Sequence, residues 1–113
     1  MLEGIFGNRT AGRVLLYIFH HGEGYALAIS KDMGVANNPV AKQLERFERA
    51  QILVAKQAGK TRLFSFNEKY PLTAPVKELV GRAYGSMTLA QKQAMFPARR
   101  RPRLKGKAVR ARA

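Results

Sequence analysis

The sequence predicts a small, mainly α-helical domain that carries one β-hairpin. Apolar residues recur at helical spacing in several separate segments, which predicts amphipathic helices. One later segment, Ile52 to Phe66, is β-prone on both sides of a Gly59-Lys60-Thr61 turn, which is typical of a hairpin. The 113 residues are enough for one domain with a buried core. We assign residues 1–96 to this domain and residues 97–113 to a basic tail.

The first helix is expected to begin near Thr10 and to end before Gly22. Its apolar residues cover nearly the whole circumference, because one face carries Ala11, Val14, Leu15, Ile18 and Phe19 while Leu16 and Tyr17 point elsewhere. A helix with this pattern is buried on more than one side. We therefore expect another helix or a second subunit to cover it.

Two further helices are predicted on either side of a tight turn. The earlier one spans Tyr25 to Met33 and ends at Gly34, and its core residues are expected to be Ala26, Leu27 and Ile29. For the later one we expect Asn38 as the cap and Pro39 at the first helical position. Its buried stripe is Val40, Leu44 and Phe47, and its opposite face carries Asn38, Lys42, Glu45, Arg46 and Arg49.

The hairpin and the C-terminal part of the domain follow. The strands are expected at Ile52–Ala55 and Leu63–Phe66, with Phe64 and Phe66 on one face of the hairpin. After two prolines, a helix with the apolar stripe Val76, Val80, Ala83 and Met87 is predicted. Thr88 and Gln91 have the spacing of a capping box, so this region is either one kinked helix or two helices.

The charge of the chain indicates a polyanionic partner. The formal net charge is +14, and residues 97–113 contribute eight basic residues and no acidic ones. The rest of the chain carries thirteen basic and seven acidic residues, so the domain itself is basic. Nucleic acid is the usual partner of such a protein, and an anionic membrane surface is the weaker alternative.

Several classes of function are not supported by the sequence. With no cysteine, the chain has no disulfide, thiol catalyst or cysteine metal site. The adjacent His20 and His21 point about 100° apart on a helix, so we expect no metal. The scattered acidic residues form no recognisable acid–base pair, so we expect no enzyme, no catalytic residue and no cofactor. The longest apolar run, Val14 to Phe19, is far too short to span a membrane, and we expect a cytoplasmic protein.

The helix after the tight turn is the leading candidate for DNA recognition, because a helix presented in this way fits the major groove. Asn38 and Gln43 are suited to adenine, and Lys42, Arg46 and Arg49 are suited to guanine or phosphate. The alternative is an ordinary solvated face with mixed charges. Gln43 is the weakest of these candidates for base recognition, since it lies at the edge of the buried stripe.

The tip of the hairpin is the second candidate. Lys56, Lys60 and Arg62 flank the glycine turn, and basic hairpin tips lie along phosphates or enter the minor groove. The alternative is that lysines simply occur at exposed turns.

The order of these elements resembles that of winged helix–turn–helix regulators of the MarR/ArsR-like group. Local similarities are Phe6-Gly7-Asn8, the segment Leu44 to Leu53 across helix and strand, and Gly59-Lys60-Thr61-Arg62. This resemblance implies a reading helix at Asn38–Ala50 and a wing at Lys56–Arg62, which includes Thr61. It also implies a homodimer that binds palindromic double-stranded DNA. The apolar first and last helices agree with this, and we expect them to form the dimer interface. The expected function is transcriptional regulation, with repression preferred to activation.

The basic tail is expected to be disordered, because it lacks aromatic residues and is dense in charge. It could add non-specific affinity for DNA, bind RNA, or have no function. The basic residues concerned are Arg99, Arg100, Arg101, Arg103, Lys105 and Lys107. The alternative to a DNA-binding regulator is a winged-helix adaptor that binds a protein, with a tail that binds RNA or an acidic partner.

Overall fold

A computed structural model describes residues 2–96, which form six helices and one antiparallel hairpin. The elements are α1 (Glu3–Phe6), α2 (Arg9–His21), α3 (Ala26–Met33), α4 (Asn37–Arg49), β1 (Leu53–Ala58), β2 (Thr61–Phe66), α5 (Thr73–Gly85) and α6 (Leu89–Met95). A mainly helical fold with one small hairpin is therefore confirmed. None of the helices within the described residues is long and apolar enough to cross a membrane. The predicted basic tail lies outside the described residues.

Helix α2 begins at Arg9, slightly earlier than predicted, and its cap is Asn8, although Thr10 is also a residue type that caps helices. Asn8 has an extended backbone, and its side-chain oxygen accepts a hydrogen bond from the Ala11 amide at 2.8 Å. Both residue types are good caps, and only the backbone conformation decides between them. At the other end, Gly22 adopts φ of 87°, the left-handed conformation that commonly ends a helix.

Helix α2 forms the centre of the core. Its buried residues include Leu15, Tyr17 and Ile18, and it contacts α1, α4, α5 and β2. Burial on several sides was correctly predicted, but elements of the same chain provide it. A second subunit is therefore not needed to cover this helix. The burial of α2 does not support the homodimer, which stays a prediction.

The helices on either side of the tight turn form as predicted, with two corrections. Ala36 caps α4, so Asn38 lies inside the helix and Pro39 is its third residue. Proline is tolerated there because the amides of the first turn have no acceptor within the helix. Leu27 is 54% exposed and is not a core residue. It lies about 200° from the buried Ile29 on the helix, which places it on the opposite side.

The hairpin is longer than predicted, and it is attached to the helices on one face. Ala58 pairs with Thr61, which leaves Gly59 and Lys60 as a two-residue loop in which Gly59 has φ of 63°. Phe64 and Phe66 are both buried, as expected. Phe64 also exchanges backbone hydrogen bonds of 2.8 and 2.9 Å with Gly24, which ties the segment before α3 to the hairpin.

The C-terminal part consists of two helices rather than one kinked helix. Thr88 caps α6 as the predicted capping box, because its hydroxyl accepts from the Gln91 amide and the Gln91 side chain accepts from the Thr88 amide. Val80, Ala83 and Met87 are buried, as expected for the apolar stripe.

A close contact at Gly12 on α2 leads to a prediction about stability. An added Cβ would lie 2.8 Å from Leu2 Cβ, whereas a Cβ at Gly85 would meet no atom within 4 Å. Overpacking costs about 1–3 kcal/mol, and alanine gains about 1 kcal/mol over glycine in helix propensity. Gly12→Ala should therefore lower the free energy of unfolding, and Gly85→Ala should raise it. Urea denaturation measures both changes. If both variants were stabilised, Leu2 and α1 would have shifted away from the added methyl group without loss of stability.

The C-terminal end of α2 is covered by aromatic side chains. The His20 ring stacks on Phe96 with centroids 4.4 Å apart, and its Nδ1 lies 2.8 Å from the Tyr84 hydroxyl. Partial burial, and then the charge of Lys92, lower the pKa of His20 below its ordinary value. Folding therefore favours the neutral form of the His20 ring over the protonated form.

This arrangement predicts a pH dependence. Because the pKa of His20 is lowered in the folded state, its contribution to the free energy of unfolding is largest above the pKa of the unfolded histidine, about 6.5. It is lost as the pH falls below that value. The melting temperature should therefore decrease from pH 7.5 to 5.5, and His20→Gln should flatten this decrease. The same slope in both proteins would show that His20 does not cause it.

Candidate nucleic-acid interface

The outward side of α4 presents a coherent set of polar side chains. Because Val40, Leu44 and Phe47 are buried, the opposite side of the helix is turned to solvent. At 100° per residue, four of the exposed polar residues fall within about 60° of the circumference. We call this set the α4 face, and it consists of Asn38, Lys42, Glu45 and Arg49.

Three of the predicted recognition residues, Asn38, Lys42 and Arg49, lie on the α4 face. None of them makes a hydrogen bond or an ion pair with another residue of the described range. Their polar groups are turned to solvent. A partner could therefore engage them without first breaking a contact within residues 2–96.

Gln43 and Arg46 border the α4 face, and both are engaged in a contact within the described residues. Arg46 donates from Nη1 to the Phe6 carbonyl at 2.9 Å and to Gln43 Oε1 at 3.0 Å. Its guanidinium also lies 5.3 Å from the centre of the Phe47 ring. These contacts attach α1 to α4. Arg46 would have to give up these contacts to reach a base, and a role for the two residues in base recognition stays a prediction.

The cations predicted at the hairpin tip are divided between its two faces. In the register of the strands, Lys56 faces Leu63 whereas Arg62 faces Gln57, so Lys56 and Arg62 project from opposite faces. Lys60 lies in the exposed loop, which Thr61 closes by donating its hydroxyl to the Ala58 carbonyl at 2.8 Å. Lys56 and Lys60 make no polar contact with other described residues.

Arg62 attaches the hairpin to α4. It donates to the Glu48 carboxylate, and its guanidinium lies 5.2 Å from the centre of the Phe64 ring. The side chains of Arg62 and Glu48 are 48% and 33% exposed, so solvent weakens the pair. In this conformation the guanidinium of Arg62 is paired with Glu48. Its predicted role at a phosphate would require it to leave Glu48.

A groove of about 280 Å³ lies between α3, α4 and β2. Its wall is mostly apolar, and it includes the exposed Leu27 together with Ala41 and Phe64. Glu45 on α4 and Arg62 on β2 both line this groove. The α4 face and the hairpin therefore belong to one continuous surface.

This surface is positively charged. It carries Lys42 and Arg49 on α4 and Lys60 in the hairpin loop, and Glu45 is the acidic residue of the α4 face. Lys56 projects from the other face of the hairpin. Within residues 2–96, no group of three or more histidine or acidic side chains is placed to hold a metal ion. The predicted tail residues Arg99, Arg100, Arg101, Arg103, Lys105 and Lys107 lie outside the described residues.

Sequence reasoning did not single out two features of this surface. Glu45 was visible on the helical wheel between the cations, but it was not assigned a role. The pair between Glu48 and Arg62 joins residues 14 positions apart and depends on how the hairpin folds back on α4. No spacing rule along the sequence indicates such a contact.

Comparisons of the chain with protein-family models, curated proteins and solved structures found no match.

Proposed function

We propose that the protein binds double-stranded DNA in a sequence-specific manner, with α4 in the major groove and the hairpin on the backbone. One observation carries this proposal. Asn38, Lys42 and Arg49 form an unpartnered polar set on a helix whose other side is anchored in the core. Such a helix presents side chains in a fixed orientation, as base recognition requires.

The arrangement of the elements supports a winged helix–turn–helix architecture. Helix α3, a short turn and α4 are followed directly by the hairpin, and α5 packs on α2. The pairing of Gly24 with Phe64 adds a third extended segment beside the hairpin. In this proposal α4 is the reading helix and the hairpin is the wing.

The chemistry of the side chains agrees with base recognition by α4 and phosphate contacts by the hairpin. Asn38 is suited to the N6 and N7 atoms of adenine, and Lys42 and Arg49 are suited to guanine O6 and N7 or to phosphates. In this proposal Lys56 and Lys60 contact phosphates, which position the protein without reading sequence. Base contacts from α4 would supply the specificity, and the hairpin would supply affinity that depends on salt.

We further propose that the protein acts as a homodimeric transcriptional regulator, with repression as its expected effect. In the described range, α2 is enclosed by its own chain, which leaves α6 as the better dimerisation surface. Leu89 on α6 is 72% exposed. To bind half-sites on successive turns of the duplex, a dimer of this kind must hold its two copies of α4 about 34 Å apart.

The test is selection of bound duplexes from a random library by the full chain, followed by binding to the selected duplex, random duplex and structured RNA. We expect one enriched motif, arranged as two inverted half-sites, and preference for that duplex over RNA. A lack of any enriched motif would reject sequence-specific DNA binding. Preference for RNA would favour the adaptor function instead.

A further inference from the structure

Glu45 has an unusual position among the charged residues of α4. The helix carries two glutamates, and Glu48 is paired with Arg62. Glu45 forms no ion pair or hydrogen bond within the described residues. Lys42 and Arg49 lie three residues before it and four residues after it, where pairing on a helix is favourable. In this structure neither of them pairs with it.

The location of Glu45 points it toward the proposed partner. It lies in the same sector of α4 as Asn38, Lys42 and Arg49, and it borders the groove between α4 and the hairpin. The following inference rests on the proposed function. If α4 enters the major groove, Glu45 faces base edges together with these three residues.

A carboxylate on this surface is unfavourable unless a donor meets it. It accepts hydrogen bonds but donates none when ionised, and DNA phosphates repel it. Guanine shows only acceptors in the major groove, thymine shows an acceptor and a methyl group, and adenine places an acceptor beside its donor. Cytosine alone shows a donor, its N4 amino group, without a neighbouring acceptor.

We propose that Glu45 is a specificity-determining residue that accepts a hydrogen bond from the N4 amino group of a cytosine. One position of each half-site should therefore be cytosine. Replacing that cytosine with thymine in the selected duplex should weaken binding by the wild-type chain roughly tenfold or more.

The isosteric change Glu45→Gln provides a sharp test. A glutamine amide offers one donor and one acceptor, which match adenine N6 and N7. Parallel selections with the wild-type and Glu45→Gln chains should return motifs that differ at one position per half-site, with cytosine in the first and adenine in the second. Total affinity for random duplex should increase slightly in Glu45→Gln, because a negative charge is removed.

Glu78→Gln is the matched control, because it removes the same charge from α5, where Glu78 pairs with Arg82 on an exposed surface. Its selected motif should equal that of the wild-type chain. The same motif from wild-type and Glu45→Gln proteins would overturn the role of Glu45 and leave DNA binding intact. A wild-type selection without any motif would overturn both proposals. Urea denaturation of each variant verifies that it is folded.

Discussion

Replacing Lys42 and Arg49 together with alanine is expected to abolish most sequence-specific DNA binding. Both side chains are exposed on the α4 face and have no partner within the described residues. A good base contact contributes about 1–3 kcal/mol of discrimination, so losing two should cost about 2–6 kcal/mol if their effects add. Binding to the selected duplex by fluorescence anisotropy measures the loss.

The control for this prediction is Lys69→Ala with Arg82→Ala. It lowers the net charge by the same amount, but it changes a loop and α5 rather than α4 or the hairpin. We expect only a weak, sequence-independent decrease in affinity for this variant. Equal losses in the two double variants would show that binding follows net charge rather than the α4 face.

Leu44→Ala is expected to have the largest effect on folding. Leu44 is fully buried at the centre of the α4 stripe, and α4 contacts both α2 and α3. Truncation of a buried leucine to alanine costs about 2–5 kcal/mol, because it removes apolar contacts and leaves a cavity. A domain of this size has a total stability of about 5–15 kcal/mol, so the loss is a large fraction of it. Urea denaturation measures the change.

Leu27→Ala is the matched control for Leu44→Ala. Leu27 has the same side chain and also lies at the groove, but it is 54% exposed. Its truncation should change the free energy of unfolding by no more than about 0.5 kcal/mol. Equal destabilisation by the two changes would contradict the assignment of Leu44 to the core.

The elements with strong apolar patterns could be predicted from the sequence. The stripe of Val40, Leu44 and Phe47 defined both α4 and its outward side, and the alternation at Phe64 and Phe66 defined the buried face of the hairpin. These predictions succeeded because burial of apolar surface dominates folding and depends only on residue type and spacing.

Short elements and polar contacts could not be predicted in the same way. Helix α1 has four residues, which is too short for a periodic pattern. The contact of Arg46 with the Phe6 carbonyl spans 40 positions, and it exists only because α1 folds back on α4. For the same reason, the helical wheel showed Arg46 as exposed but did not indicate that its guanidinium is hydrogen-bonded to Phe6 and Gln43.

The most direct test of the proposed interface is an amide NMR titration of the full chain with the selected duplex. The largest shift changes should fall on Asn37–Arg49, the first turn of α3 and the loop at Gly59 and Lys60. The exposed sides of α5 and α6 should change little. Changes confined to residues 97–113, or centred on α5 and α6, would contradict the proposal that α4 and the hairpin bind DNA.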